Sequence, residues 1–155
     1  MPVRHKSVRA SRRKRPPLPV MGCGVDVVEL TRFRQALQRG GEAFLQRVFT
    51  KGEAAYARAR RRTMFLHLAG RFAAKEAVMK AVSQIDPTRT LAMNQIEIRN
   101  DRIGRPRIVL HDRLACATPG RKRVGAAGRP AKRLTIHVSL SHVDTVAVAS
   151  AIAIR

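Results

Sequence analysis

The sequence predicts one α+β domain in which helices pack on a mainly antiparallel sheet. The chain has 155 residues, of which 45% are hydrophobic, and this length suits one core better than two. Its first half begins with one short, valine-rich stretch and continues with helical patterns, whereas its second half contains mostly strand-like stretches. One strand, then helices, then several strands is an order typical of the α+β class.

The first half of the chain is predicted to form one strand and several helices. Residues 22–28 (GCGVDVV) are short and β-branched, so they predict a strand in which Gly24 and Asp26 share a face. Thr50 and Glu53 have the spacing of a capping box and should start a helix that ends near residue 61. The other predicted helices are residues 30–38 and 42–48, which Gly40 and Gly41 divide, and residues 65–82, which form the longest one.

The second half of the chain is predicted to supply the rest of the sheet. The predicted strands are residues 95–99, 106–110, 134–140 and 145–154, with a turn at residues 100–104. The last strand alternates alanines with bulkier residues such as Val148 and Ile152, so its two faces differ in bulk. These consecutive strands favour a mainly antiparallel sheet.

A large positive charge limits the partners that the chain can have. Against 32 Lys plus Arg stand 10 Asp plus Glu, which gives a formal net charge of +22. This balance favours nucleic acid, an anionic membrane surface, a phosphorylated cofactor or an acidic protein, and it does not choose among them. Residues 1–20 hold seven of the basic residues and residues 119–133 hold six, with no acidic residue in either segment. The remainder of the chain therefore carries a net charge of +9.

The two basic segments are predicted to lie outside the folded core. Residues 1–20 have the composition of a disordered basic tail. An equally open alternative is that translation starts at Met21, and a transit peptide is disfavoured because prolines oppose an amphipathic helix. Residues 119–133 are interrupted by glycines and predict an exposed basic loop. The folded domain is therefore expected to span residues 21–155.

Cysteine usage and hydropathy indicate a soluble cytoplasmic protein. The two cysteines, Cys23 and Cys116, cannot form a disulfide framework, and no cluster of cysteine and histidine has zinc-site spacing. The longest apolar runs fall far short of the roughly 18 residues that cross a bilayer. No apolar signal-peptide core follows the basic start. We therefore expect a reducing compartment and no membrane partner.

Two carboxylates lie in apolar surroundings. Asp26 is inside an apolar strand, where a charge is costly unless a metal or a basic group pairs with it. Glu76 shares its helix face with Phe72 and Met79, and Lys80 follows one turn later. Two carboxylates beside several cations are what a magnesium-held phosphate needs. The residues leave two alternatives open, which are a strand cap or ion pair for Asp26 and a surface pair of Glu76 with Lys80.

Other polar residues add to this chemistry. Arg71, Lys75 and Lys80 place three cations around the second carboxylate, although a solvated helix face would show the same pattern. Residues 139–142 (SLSH) end a predicted strand, a position from which loops present functional groups. His142 is a candidate for phosphate binding or proton transfer, with a structural turn histidine as the alternative. The sequence has no nucleophile triad order, no P-loop and no dinucleotide-binding motif.

Taken together, these motifs resemble the bacterial holo-acyl carrier protein synthases, the small branch of the 4′-phosphopantetheinyl transferases. The resemblance spans about residues 22–153, and LAGRFAAKEA at residues 68–77 is its most specific block. The other matching pieces are GVDVVE at 24–29, FT at 49–50 with Glu53, IEI at 96–98, GRP at 104–106 and VSLSH at 138–142. Val143 and residues 83–87 (SQIDP) depart from the family pattern, which has a small hydroxyl residue and a glycine-rich turn there.

The resemblance implies an activity and a set of site residues. The family transfers the phosphopantetheine arm of coenzyme A to a serine of apo acyl carrier protein and releases adenosine 3′,5′-bisphosphate. Asp26 and Glu76 match its Mg²⁺ ligands, and Lys80 matches a catalytic residue at the coenzyme phosphates. Glu76 and a metal-bound water are the candidates for the base that deprotonates the serine. The further coenzyme positions are Arg71, Ser141 and His142.

The resemblance also implies partners. Family members are typically homotrimers with active sites at subunit interfaces, and their first helix docks an acidic carrier protein. Arg32, Phe33 and Arg39 are the expected carrier contacts here, with electrostatic steering of the anionic partner. The alternative is a non-enzymatic basic nucleic-acid-binding protein. It has the charge in its favour, but one tyrosine and five phenylalanines offer few stacking platforms, so no specific nucleic acid is expected.

Overall fold

A computed structural model of the chain describes residues 18–111 and 134–155, which form the expected α+β domain. Its elements in chain order are β1 (Met21–Glu29), α1 (Leu30–Val48), α2 (Lys51–Arg58), α3 (Met64–Ile85), β2 (Ile96–Asn100), β3 (Pro106–Leu110), β4 (Thr135–His142) and β5 (Val146–Ile154). Short 3₁₀ turns precede α3 and β2. The predicted strands and helices are confirmed, with differences of a few residues at their ends.

The described strands form two antiparallel sheets. In the three-stranded sheet β5 lies between β1 and β4, and β2 pairs with β3 in a separate hairpin. The register places Ala149 of β5 opposite Asp26 on one side and opposite Leu140 on the other. Antiparallel pairing is therefore confirmed, although the strands divide between two sheets.

Small residues line the face of the three-stranded sheet that packs on α3. The alanines of β5 are buried, whereas Val148 and Ile152 lie on the opposite face and are exposed. Helix α3 also buries several alanines, among them Ala73 and Ala77. The difference in bulk between the two faces of the last strand is thereby explained, because small side chains let a helix lie close to the sheet.

Two glycines of β1 let α3 approach its backbone. A Cβ atom at Gly24 would lie 2.1 Å from the carbonyl oxygen of Ala77, and one at Gly22 would lie 2.1 Å from that of Ala81. Any side chain at either position would therefore displace the helix. The GCG sequence, which is too short for a nucleotide motif, thus permits close packing.

The predicted break between two helices appears as a kink within α1. Gly41 has φ +51° and ψ −140°, a conformation that glycine adopts readily. The two helical segments on either side together span Leu30–Val48. The Phe33 ring of the first segment packs on Phe44 of the second and on Phe72 of α3.

Helix α2 begins with the predicted capping box. The Thr50 hydroxyl accepts a hydrogen bond from the Glu53 N–H (3.2 Å), and the Glu53 carboxylate accepts one from the Thr50 N–H (2.9 Å). The same carboxylate is buried and also accepts from the Ile98 N–H of β2 (2.9 Å). The capping residue thus joins α2 to the hairpin.

A buried lysine joins α3 to this junction. Lys75 is 0% exposed, and its Nζ lies 2.7 Å from Glu53 Oε2. It also donates to the carbonyl oxygens of Val48 (2.8 Å) and Met93 (3.0 Å). Burial lowers the pKa of Lys75, and the neighbouring Glu53 acts in the opposite direction. All three ammonium protons thereby have acceptors, as burial of a charge requires.

The side of the three-stranded sheet that faces away from α3, called here the outer sheet face, exposes large apolar side chains. These are Met21, Val25, Val27, Val148 and Ile152. Contiguous apolar surface of this kind is typical of an interaction site. Cys23 lies on the same face and is exposed.

The predicted basic segments lie mainly outside the described residues. Of the tail only residues 18–20 are described, and there Val20 exchanges backbone hydrogen bonds with Arg155 (3.1 and 2.9 Å). The basic loop 119–133 and Cys116 fall entirely outside the described ranges. Among the described helices, none has the length and apolar character needed to cross a membrane.

We expect Gly24→Ala to lower the free energy of unfolding by about 1–3 kcal/mol, because the added methyl meets the backbone of α3. Gly70→Ala is the matched control. It lies within α3, where the nearest atom to an added Cβ is 3.7 Å away, so this change should be neutral or slightly stabilising. Urea denaturation measures both variants. Equal stability of the two variants would contradict the close contact of β1 with α3.

Candidate active site

Asp26 lies on the face of β1 that meets α3 and is paired with a lysine. Its side chain is 17% exposed, and its Oδ1 accepts a hydrogen bond from Lys80 Nζ (2.9 Å). Lys80 also donates to the carbonyl oxygen of Val25 (2.9 Å), so its ammonium is held by backbone and side chain of the same strand. The ion-pair alternative for Asp26 is thus present, and it brings Asp26 to the helix that carries Glu76.

Glu76 lies one turn before Lys80 on α3, close to Asp26. Burial raises the pKa of Glu76, the negative charge of Asp26 raises it further, and Lys80 opposes both effects. The fold therefore brings the Asp26 carboxylate close to Glu76 and Lys80, although Asp26 is about 50 residues before them in the chain. A like-charged pair of this kind stores a cost that a bound cation would relieve.

The pair fits a hard divalent cation. Carboxylate oxygens are the ligands that Mg²⁺ prefers, and Mg²⁺ in proteins is commonly held by one or two carboxylates while substrate oxygens and water complete the shell. Within residues 18–111 and 134–155, no group of three or more His, Cys, Asp or Glu residues could hold a metal. Asp26 and Glu76 would therefore need oxygen ligands from outside the described chain.

Arg71 lies one to two turns before Glu76 on α3 and is buried in a separate cluster with Tyr56, His67 and Asn100. It is 5% exposed, and it donates to Asn100 Oδ1 (2.9 Å) and to the carbonyl oxygen of His67 (3.2 Å). Its guanidinium lies over the ring of Tyr56, with Cζ 4.1 Å from the ring centroid. Sequence reasoning missed Tyr56 and Asn100. Tyr56 is the single tyrosine of the chain, which is a usable signal, whereas nothing in the sequence marks Asn100.

Ser141 and His142 end β4 and lie on opposite faces of the sheet. His142 alternates onto the face that meets α3, and its charge contributes to lowering the pKa of His67, after burial and the charges of Arg71 and Arg60. Ser141 lies on the outer sheet face, in register with Val148. The chain thus brings His142 towards the Arg71 cluster and leaves Ser141 on the other side of the sheet.

Two residues considered at the sequence level have core positions. Lys75, one of the three cations expected around the second carboxylate, is buried against Glu53 and is a structural residue. Phe33, an expected carrier contact, is 5% exposed because it packs between Phe44 and Phe72, so that prediction needs correction. Phe33 thus packs α1 against the core.

The two arginines expected at the carrier surface are exposed. Arg32 and Arg39 lie on the solvent side of α1. Their neighbour Arg34 is also exposed and lies over the Phe65 ring, with Cζ 4.6 Å from the centroid. The helix therefore presents a basic surface.

A cleft of about 990 Å³ lies elsewhere, between the end of α1, the start of α2 and the hairpin. Its polar lining includes Glu97, which contacts Arg99 (3.0 Å) and His111 (2.5 Å). Asp26, Glu76 and Lys80 do not line it. The carboxylate pair, which has the unusual electrostatics, is the better candidate for chemistry.

The profile of a family described as the 4′-phosphopantetheinyl transferase superfamily matches residues 22–129. The chain belongs to this superfamily. A holo-[acyl-carrier-protein] synthase of Koribacter versatilis is 35% identical over 133 residues, which are 86% of this chain and 97% of the relative. One of Clostridium perfringens is 36% identical over 130 residues, 84% of this chain and 90% of the relative. The chain is thus an enzyme of the holo-acyl carrier protein synthase family, which transfers phosphopantetheine from coenzyme A to apo acyl carrier protein.

Solved structures share the fold. A complex of the Chronobacterium ammoniagenes synthase with coenzyme A has a TM-score of 0.68 at 31% identity and covers 86% of this chain and 96% of its own. The acyl carrier protein synthase of Mycobacterium tuberculosis has a TM-score of 0.58 at 32% identity and covers 85% and 95%. The α+β fold of the family is therefore confirmed.

The electrostatic coupling at the pair predicts opposite pKa changes in two variants. Asp26→Asn removes a negative neighbour and should lower the pKa of Glu76, whereas Lys80→Met removes a positive one and should raise it. NMR titration of the carboxyl carbons measures both, with Lys51→Met as a control that leaves this pKa in place. Because the folded pKa is raised, the Glu76 contribution to the free energy of unfolding falls as the pH rises from its unfolded to its folded pKa. An unchanged pKa in both variants would contradict the proximity of the two carboxylates.

Proposed function

We propose that this enzyme performs its phosphopantetheine transfer with Mg²⁺ held by Asp26 and Glu76. The observation that supports the proposal most is the convergence of these two carboxylates with Lys80, in a chain whose family uses coenzyme A. When bound, Mg²⁺ supplies positive charge that neutralises the diphosphate of coenzyme A. Asp26 and Glu76 would hold this ion as its ligands from the protein.

Lys80 and Glu76 have further proposed roles in the reaction, one in neutralising charge and the other in accepting a proton. The serine hydroxyl oxygen of the carrier attacks the phosphorus that bears the pantetheine arm, and the bond from that phosphorus to adenosine 3′,5′-bisphosphate breaks. Lys80 neutralises the charge that develops on the phosphate and leaving group. Glu76 is the proposed acceptor of the serine proton.

Arg71, Ser141 and His142 are proposed to bind the coenzyme. Arg71 and His142 each lie close enough to His67 to lower its pKa. A complex of the Bacillus anthracis synthase with coenzyme A (3′,5′-ADP), which is 28% identical with a TM-score of 0.61, supports coenzyme binding in this fold. Ser141 lies on the outer sheet face, so we assign its contact to the coenzyme of a neighbouring copy.

The assembly is proposed to be a homotrimer whose copies meet through the outer sheet face. Five large apolar side chains are exposed there, and burial of such a patch is the main driving force of association. Interfaces formed at this face would place Ser141 of one copy near another copy. The active site would then be completed only by assembly.

The carrier is proposed to dock on α1 through Arg32 and Arg39. Both are exposed, and a basic helix attracts an acidic partner at long range. The product would serve fatty acid biosynthesis in the cytoplasm. Phe33 would act indirectly, by supporting the helix.

A mass assay tests the transfer. The wild-type chain with coenzyme A, apo acyl carrier protein and Mg²⁺ should give a carrier with added mass. Glu76→Gln should slow this transfer by about 10²-fold or more, since it removes both a metal ligand and the base. Glu42→Gln, which removes an exposed carboxylate, is the control and should transfer normally. A wild-type chain that is well folded and adds no mass would overturn the proposal, as would full activity of Glu76→Gln.

A charge placed on the outer sheet face tests the assembly. Val25 is 58% exposed, and Val25→Glu should shift the solution mass from trimer to monomer and reduce transfer, because a charge would be buried at the interface. Light scattering after size exclusion measures the mass. Ile103→Glu, at the 72% exposed tip of the β2–β3 hairpin, is the control. A wild-type monomer, or an unchanged mass in Val25→Glu, would argue against the trimer.

A further inference from the structure

The aromatic ring of Tyr56 contacts the guanidinium groups of two arginines. The guanidinium carbon of Arg60 lies 3.6 Å from the ring centroid and that of Arg71 lies 4.1 Å from it. Arg60 also donates to the carbonyl oxygen of Tyr56 (3.1 Å), and the His67 ring meets the tyrosine edge to face at 5.4 Å. One side chain of α2 thus contacts cations from two different segments.

The two positive charges are not neutralised by carboxylates. No ion pair joins Arg60 or Arg71 to an acidic side chain among the residues that the structure describes. Arg71 donates only to neutral oxygens, and its Nε is buried without a hydrogen-bond partner in that part of the chain. The negative face of the tyrosine ring, together with the neutral oxygens that accept hydrogen bonds from the two guanidinium groups, offsets their mutual repulsion.

One member of the cluster is open to solvent. Arg60 is exposed and lines a shallow cleft with Arg58, Arg61 and Arg62. Its guanidinium has five N–H donors in a planar fork, and Tyr56 takes up only one of them by a hydrogen bond. An approaching anion would meet free donors that the ring already holds in place.

We propose that Tyr56 is a positioning residue that holds Arg60 and Arg71 together as a binding site for an anionic phosphate group of coenzyme A. This rests on the proposed function, because it takes coenzyme A as the ligand. Cations that are held before the ligand arrives lose less conformational entropy on binding, which increases affinity. The ring acts through the arginines, and the reacting phosphorus lies elsewhere, at the carboxylate pair.

Calorimetric titration of the full chain with coenzyme A tests the role of the ring. Tyr56→Leu should raise the Kd by about 3- to 30-fold, the range that loss of a cation–π contact gives. In the transfer assay its KM for coenzyme A should rise while kcat changes less. Tyr56→Phe keeps the ring and should stay within about threefold of the wild type. Phe44→Leu is the control, since it removes another ring under an arginine, Arg47, and should leave the Kd unchanged.

A double-variant cycle separates positioning from general structural support. If Tyr56 acts through Arg60, the Kd changes of Tyr56→Leu and Arg60→Gln should be less than additive in the combined variant. Equal coenzyme affinity in wild type and Tyr56→Leu, or full additivity, would overturn the inference. If Tyr56→Leu does not fold, Arg60→Gln alone decides, since an unchanged Kd there overturns it. A wild-type chain that binds no coenzyme A would instead refute the proposed function itself.

Discussion

The close contact between β1 and α3 is the constraint on which the candidate site depends. Gly22 and Gly24 leave room for helix carbonyl oxygens that a Cβ atom would meet at 2.1 Å. Because the helix lies this close, Lys80 reaches both Val25 and Asp26 on the strand. The same approach lets the charge of one carboxylate act on the other. Backbone packing thus sets the electrostatics of the site.

The basic residues of helix α3 lie on different faces of the helix and have different surroundings. Lys75 is fully buried and stabilises the junction of α1, α2 and the hairpin, whereas Lys80 is half exposed at the carboxylate pair. Arg71 lies between these extremes, buried but bonded to neutral oxygens. These three cations occur within ten residues of the chain, but they differ in burial and in the groups that accept their hydrogen bonds. The buried ones need acceptors within the protein, because an unpaired buried charge is costly.

The positive net charge of the chain suits the two proposed substrates. A basic α1 and the arginines around Tyr56 present positive surface, and the two proposed substrates, a phosphorylated coenzyme and an acidic carrier, are both anionic. The charge favours encounter with these partners, whereas the carboxylates Asp26 and Glu76 are what the proposed chemistry requires. The outer sheet face is apolar, so a different force, burial of hydrophobic surface, would govern association of the copies.

The sequence by itself determined the order of helices and strands, the capping box at Thr50 and the family motifs, because these depend on residues that are near each other in the chain. It also marked Asp26 and Glu76, since each is a carboxylate in apolar surroundings. Only the tertiary structure decided that Phe33 and Lys75 belong to the core and that Tyr56 joins two arginines. The acceptors of the buried lysine lie 18 to 27 residues away, and such distant pairings leave no periodic signal. Burial and partner choice are therefore properties of the assembled fold.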